Sequence, residues 1–150
     1  MFKKILIATD LNDVSSEAVK KGIQLAHQYN SQIIMLNIHS EFMSKEEMGM
    51  LRVSIDTMKS EFEKTALKAK NDMREKIEYL HGEDIEVEYI LKDGKPNKVI
   101  CEQAEKAQAD LIIMGVNDKN VMTNIIFRST ASFVIEHVNI PVLVVPMKNK

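Results

Sequence analysis

Ala109-Asp-Leu-Ile-Ile-Met-Gly115 decides the reading of this chain. The unbroken run of Leu111, Ile112, Ile113 and Met114 fits a strand covered on both faces, and it stops at a glycine. A polar loop follows and leads to Arg128-Ser129-Thr130, a Ser/Thr helix start. Strand, glycine, loop and helix start together are a way of holding phosphate. Glycine lets a ligand approach the backbone, and the unpaired N–H groups of a helix start attract an anion. Beyond Gly115 this loop has no second glycine, and Asp118 and Arg128 stand where one would be sought.

Outward from that stretch, four further apolar runs occupy residues 5–8, 33–38, 85–91 and 142–145. Helical patterns separate them. Asn12 or Asp13 can cap a first helix with apolar positions Val14, Ala18, Val19, Ile23 and Ala26, ending near Tyr29 and Asn30. A long second helix places Ile55, Met58, Phe62, Thr65, Ala69, Met73, Ile77 and Leu80 on one stripe and stops at His81-Gly82. The third follows Gly94-Lys95-Pro96-Asn97, through Val99, Ile100, Ala104 and Ala107. The fourth starts around Ser129 and continues through Phe133, Val134 and His137 to the turn before Pro141. This alternation predicts an α/β fold: a single doubly wound domain over residues 1–150, with a five-stranded parallel sheet and helices on both faces.

Composition narrows the function classes. With 150 residues, 45% hydrophobic and 28% charged, the chain can bury a full core without disulfide or metal. A formal charge of -2 and the lack of a Lys/Arg block argue against nucleic acid. The apolar run at the N-terminus stops at Asp10, too short for a signal peptide or a membrane span. One cysteine excludes an internal disulfide, so a cytoplasmic location is expected.

In parallel sheets, ligands bind beyond the carboxyl ends of the strands, where the strand order reverses. The candidates are therefore Thr9 and Asp10, Ile38 and His39, Lys92 and Asp93, and residues 115–118. Asp10 can orient a ribose or a cation, or serve simply as a turn residue.

Four segments in this order and spacing resemble the universal stress protein family. They are Lys3-Lys-Ile-Leu-Ile-Ala-Thr-Asp10, Asp110-Leu-Ile-Ile-Met-Gly115, Ser129-Thr130-Ala-Ser and Ile140-Pro-Val-Leu-Val-Val-Pro146. The resemblance implies strand order 3-2-1-4-5, a homodimer, and in many members ATP between the first and fourth strands. It implies Asp10 facing the ribose, Ile38 and Met114 flanking the adenine, and Ser129 and Thr130 meeting phosphates. The family's phosphate motif is Gly, two residues, Gly, nine residues, then Gly with Ser or Thr. Laid on this chain it falls on Gly115, Asp118, Arg128 and Ser129, so two of its glycines are replaced. An aspartate brings negative charge toward a polyanion: at 4 Å, a unit pair is worth about 1 kcal/mol in bulk water and about 4 at an effective dielectric of 20. Arg128 acts in the opposite sense, since guanidinium binds phosphate well. The expectation is a stress-response module that signals or interacts as a homodimer without tightly bound ATP. The alternative is an ATP or AMP binder with an altered loop.

Other chemistry has thinner support. His27, His39, His81 and His137 lack metal-ligand spacing, so no metal site is expected. Cys101 beside Ile100 and Ala104 reads as a packed thiol. No nucleophile–base pair is legible, so no catalytic residue is expected. Met43, Met48, Met50 and Met58 cluster before and within the long helix, either as core filling or as an adaptable surface. Finally, a terminal apolar strand leaves a bare sheet edge, which proteins cover or pair. Homodimerisation through Val142, Leu143, Val144 and Val145 is the expected solution.

Overall fold

The computed structural model describes residues 1–9, 16–39, 55–117 and 128–147. Strand β1 (Lys4–Thr9) is buried from Ile5 to Thr9 because it is paired along both edges. One neighbour is β2 (Gln32–His39) and the other is β4 (Leu111–Asn117). Outside these lie β3 (Val87–Asp93) against β2 and β5 (Val142–Met147) against β4. All four pairings are parallel, and the order is β3-β2-β1-β4-β5, as anticipated.

The period-two alternation of the strands divides the core into two layers. Ile5, Ile7, Ile33, Met35, Leu111 and Ile113 pack against α1 (Ser16–Tyr29) and α2 (Ile55–Tyr79). Leu6, Ala8, Ile34, Leu36, Ile112 and Met114 pack against α3 (Pro96–Ala107) and α4 (Arg128–His137). Each fully buried side chain of this kind contributes about 1.5–3 kcal/mol. Of the stripe foreseen for the long helix, Ala69, Met73 and Ile77 are buried against the core.

Helix α1 lies unusually close to the sheet. Ala18, Gly22 and Ala26, at four-residue spacing, present small side chains to it. A Cβ on Gly22 would stand 2.2 Å from Ile7 Cδ1, so only glycine permits this approach.

The helix ends are also local in origin. Asn30, His81 and Gln108 adopt left-handed φ values of 55°, 66° and 56° at the ends of α1, α2 and α3. The following N–H groups turn back to free carbonyls: Ser31 to Ala26 at 2.9 Å, Gly82 to Ile77 at 2.8 Å and Ala109 to Ala104 at 3.0 Å. This is the Schellman arrangement, which satisfies the last carbonyls of a helix. At α3 the start is settled by Pro96, which has no N–H to satisfy, and by Asn97 Oδ1, which accepts the Lys98 N–H at 2.7 Å.

Several expected boundaries shift. β3 begins at Val87 rather than at residue 85, because Ile85 still belongs to the turn, where its N–H bonds Gly82 O at 3.0 Å. β4 does not stop at Met114: Gly115 lies within the strand and pairs with Val145, and the pairing runs on to Asn117. β5 continues past Val145 to Met147, and α4 begins at Arg128 rather than at Ser129. Asn12 and Asp13, offered as caps of α1, lie outside the described residues, as do Met43, Met48 and Met50.

Gly22→Ala is expected to destabilise the protein by about 1–3 kcal/mol, the usual cost of overpacking a tight interior. A urea melt measures it. An unchanged midpoint would mean that α1 tolerates a larger separation from β1.

Candidate functional site

The strands end at different heights, and that difference makes a crevice. The last pairing of β1 with β2 is Thr9↔Asn37, and its last pairing with β4 is Ala8↔Met114. β2 continues with β3 to His39↔Asp93, and β4 continues with β5 to Asn117↔Met147. Among the described residues the tails of β2 and β4 therefore reach past the last residue of β1 and bound a notch there. In the order β3-β2-β1-β4-β5 this is also where the chain crosses from one side of β1 to the other. Such switch points are where open α/β sheets bind ligands.

The walls can be named. Ile38 on the β2 tail is half-buried and packs on the same cluster as Met114 and Val116 of β4. All three lie on the face covered by α3 and α4. Ala131, in the first turn of α4, joins that cluster and brings the helix start to the end of β4. Ser129 is exposed there and Thr130 half-buried, and the first turn carries no acidic residue. A helix start with two hydroxyls and no acidic residue in its first turn is receptive to an anion. Gly115 sits in the β4 tail between the apolar wall and β5. Asp10 and Asp118 lie outside the described residues, and Arg128 is described only as the first residue of α4.

Two polar residues form the floor. Thr9 is 4% exposed and Asn37 1%. Asn37 Nδ2 donates to the Thr9 carbonyl at 2.9 Å, joining the ends of β1 and β2. Asn37 Oδ1 is buried and has no partner among the described residues. Sequence reasoning passed over Asn37. The signal was the one amide interrupting the apolar run Ile33-Ile-Met-Leu-Asn-Ile38. Gly22 was also missed, although its place between Ala18 and Ala26 marks a small-residue stripe.

Among the described residues, no group of three His, Cys, Asp or Glu gathers to hold a metal ion, and no helix is long and apolar enough to cross a membrane. His27 instead pairs on the surface with Asp84 at 2.8 Å, and this hydrogen bond holds the Asp84 carboxyl below its ordinary value. His137 Nδ1 meets the Phe133 carbonyl at 2.7 Å at the end of α4. Burial pushes the Cys101 thiol up, and the carboxylates of Glu105 and Glu102 add to the rise.

The comparison with known proteins decides the family. The model described as universal stress protein family matches residues 1–146. The chain belongs to this family. Universal stress protein MJ0531 of Methanocaldococcus jannaschii is 33% identical, over 100% of this chain and 85% of its own length. The solved structure of MJ0577, from the same organism, superposes with a TM-score of 0.76 at 29% identity, covering 100% of this chain and 99% of that one. A universal stress protein solved in complex with cAMP shares the fold, with a TM-score of 0.65 at 17% identity over 98% of each chain.

Because its neutral form is favoured, the Cys101 thiol is expected to be alkylated more slowly than a free cysteine at pH 7–8, with its rate profile displaced to higher pH. Iodoacetamide kinetics across that range measure this. A rate at or above that of a free thiol would show a reactive thiolate.

Proposed function

We propose that this universal stress protein acts in the stress response as a homodimeric signalling or interaction module. Its crevice accepts an adenine nucleotide without the tight grip on triphosphate that an intact glycine loop gives. The observation that carries this reading is the notch above β1, with Ile38 and Met114 on one apolar wall and the start of α4 beside it. An adenine ring needs a flat apolar slot, and a single phosphate needs few donors; the notch has the materials for both. A triphosphate needs a longer cradle. At that point the motif carries Asp118, which repels the chain of phosphates, and Arg128, which attracts it. The related protein solved with cAMP is consistent with a mononucleotide in this fold.

Dimerisation is supported by the edge of the sheet. Among the described residues β5 has a neighbour on one side only, and Val144 is 37% exposed upon it. Ile135 of the adjacent α4 is 53% exposed. Pairing two copies through Val142, Leu143, Val144 and Val145 would remove this open edge.

Two measurements test the proposal. After extraction of any carried-over nucleotide, calorimetric titration is expected to show AMP binding, with Mg-ATP at least about tenfold weaker. Asp118→Gly should then raise ATP affinity by about one to three decades, the range set by one charge repulsion. Micromolar ATP binding by the unaltered protein would overturn this reading, as would the absence of AMP binding at millimolar concentration. Val144→Glu should convert a dimer to a monomer in light scattering at micromolar concentration. An unaltered protein that is already monomeric would remove the homodimer from the proposal.

A further inference from the structure

The outer edge of β5 can be read group by group, because one hydrogen bond fixes its phase. The Ile112 N–H donates to the Pro141 carbonyl at 3.0 Å, and Ile112 stands level with Val142. In a strand the N–H and C=O of one residue point to the same side, and successive residues alternate. Pro141, Leu143 and Val145 therefore turn their backbone groups toward β4. Val142, Val144 and Pro146 turn theirs to the outer edge.

Composition limits what that edge can bond. Val142 and Val144 each present a donor and an acceptor, whereas Pro146 has a carbonyl and no N–H. Its ring takes the place of the missing hydrogen and stands against any carbonyl brought opposite. Both valines lie in the first half of β5, directly after the turn at residues 138–141. Val142 packs on the core layer under α3 and α4, and Val144, two residues on, shares that face and is 37% exposed. Leu143 packs on the opposite layer.

A second copy can meet this pattern about a two-fold axis in a few registers, and they are not equivalent. Antiparallel strands bond where outward residues face one another. An axis through Val142 sets Val144 against Ile140, which belongs to the turn and not to the strand. An axis through Val144 sets Val142 against Pro146, so the Val142 carbonyl faces a ring instead of a donor. An axis through Leu143 sets Val142 against Val144 of the second copy. Each N–H of these valines then finds a carbonyl and each carbonyl an N–H, while Pro146 lies beyond the ladder.

We propose that two copies join through β5 in this one register, with Leu143 on the two-fold axis and Val142 of each copy bonded to Val144 of the other. The proposal rests on the homodimer reading given above and adds to it the pairing of individual residues. On one face it covers Val144 with Val142 of the second copy, and on the other it brings the two Leu143 side chains together. Pro146 acts as the stop, because a slide of the strands toward it meets its ring. A contact of this kind is self-complementary and closes after two copies.

The test uses the full chain with Cys101→Ser, which removes the one native thiol. Leu143→Cys and Val144→Cys are each added to it and oxidised mildly with oxidised glutathione. In the proposed register the Cα atoms of the two residues 143 are about 4.5 Å apart, within disulfide reach. Those of the two residues 144 are about 7–8 Å apart, beyond it. Leu143→Cys should therefore run as a covalent dimer on a non-reducing gel, and Val144→Cys as a monomer. Leu143 contributes to the core, so a second pair keeps the test independent of its folding. Val142→Cys and Val144→Cys should cross-link when mixed and left to exchange subunits, and neither should do so alone. A covalent dimer from Val144→Cys alone would move the axis to Val144 and overturn the proposal. No cross-link in either experiment, from a protein that light scattering shows to be a dimer, would also overturn it and leave the homodimer with another interface. An unaltered protein that is monomeric at micromolar concentration removes both.

Discussion

The position of one strand along its own axis governs this structure, and a single carboxylate sets it. Asp110 Oδ2 accepts the backbone N–H groups of Lys3 and Lys4 at 2.9 Å each, just before β1 enters the sheet. The Asp110 N–H donates in turn to the Lys4 carbonyl, and the Gln32 N–H to the Lys3 carbonyl, both at 2.8 Å. The start of β1 is thus tied to the starts of β4 and β2 by two charge-assisted bonds to Asp110, the stronger kind, and by two backbone bonds. A one-residue slip would turn Ile5 and Ile7 to the face now held by Leu6 and Ala8. It would also move the end of β1 relative to β2 and β4, and with it the depth of the notch.

From that constraint the two ends of the sheet acquire different characters. At the amino end, Asp110 and the Ser31 hydroxyl, which donates to the Phe2 carbonyl, close the backbone upon itself. At the carboxyl end β1 stops early, and its neighbours stand as paired walls on either side. The long apolar residues Ile38, Met114 and Val116 remain on the α3 and α4 face of those walls because strand alternation continues unbroken through the tails. The candidate site is therefore a by-product of register. No special backbone geometry is needed at Gly115, which pairs as an ordinary strand residue.

The fold was legible to a large extent. Short runs such as Leu111 to Met114 are too apolar for a half-exposed strand, and the intervening helical stripes leave parallel crossovers as the only economical connection. The family likeness supplied the strand order, which periodicity alone does not determine. Strand ends were less legible, because pairing partners extend a strand beyond its apolar core. Asn117 is held at the end of β4 by its pairing with Met147 of β5 rather than by hydrophobicity. Of the candidate site, Ile38, Met114, Ser129 and Thr130 were named from topology and from the family motif. Asn37 was not, because in a linear reading it is one polar residue in an apolar run. Its meaning comes from standing level with Thr9, a relation that only the register reveals.

The closures after Tyr29, Tyr79 and Ala107 have a consequence for how this chain can change. All of them lie where a helix returns to the sheet, at the pole opposite the notch, and they are completed by their own backbone with Asn30, His81 and Gln108 in left-handed conformation. At that pole the helix closures draw on short-range information, while Asp110 ties the start of β1 to that of β4 across the chain. The opposite pole, where strands lead into helices, carries the differences from the family motif, including Asp118 in place of glycine. Ligand preference can drift at one pole while the other continues to specify the same architecture. The sequence is in this sense modular along the strand axis rather than along the chain.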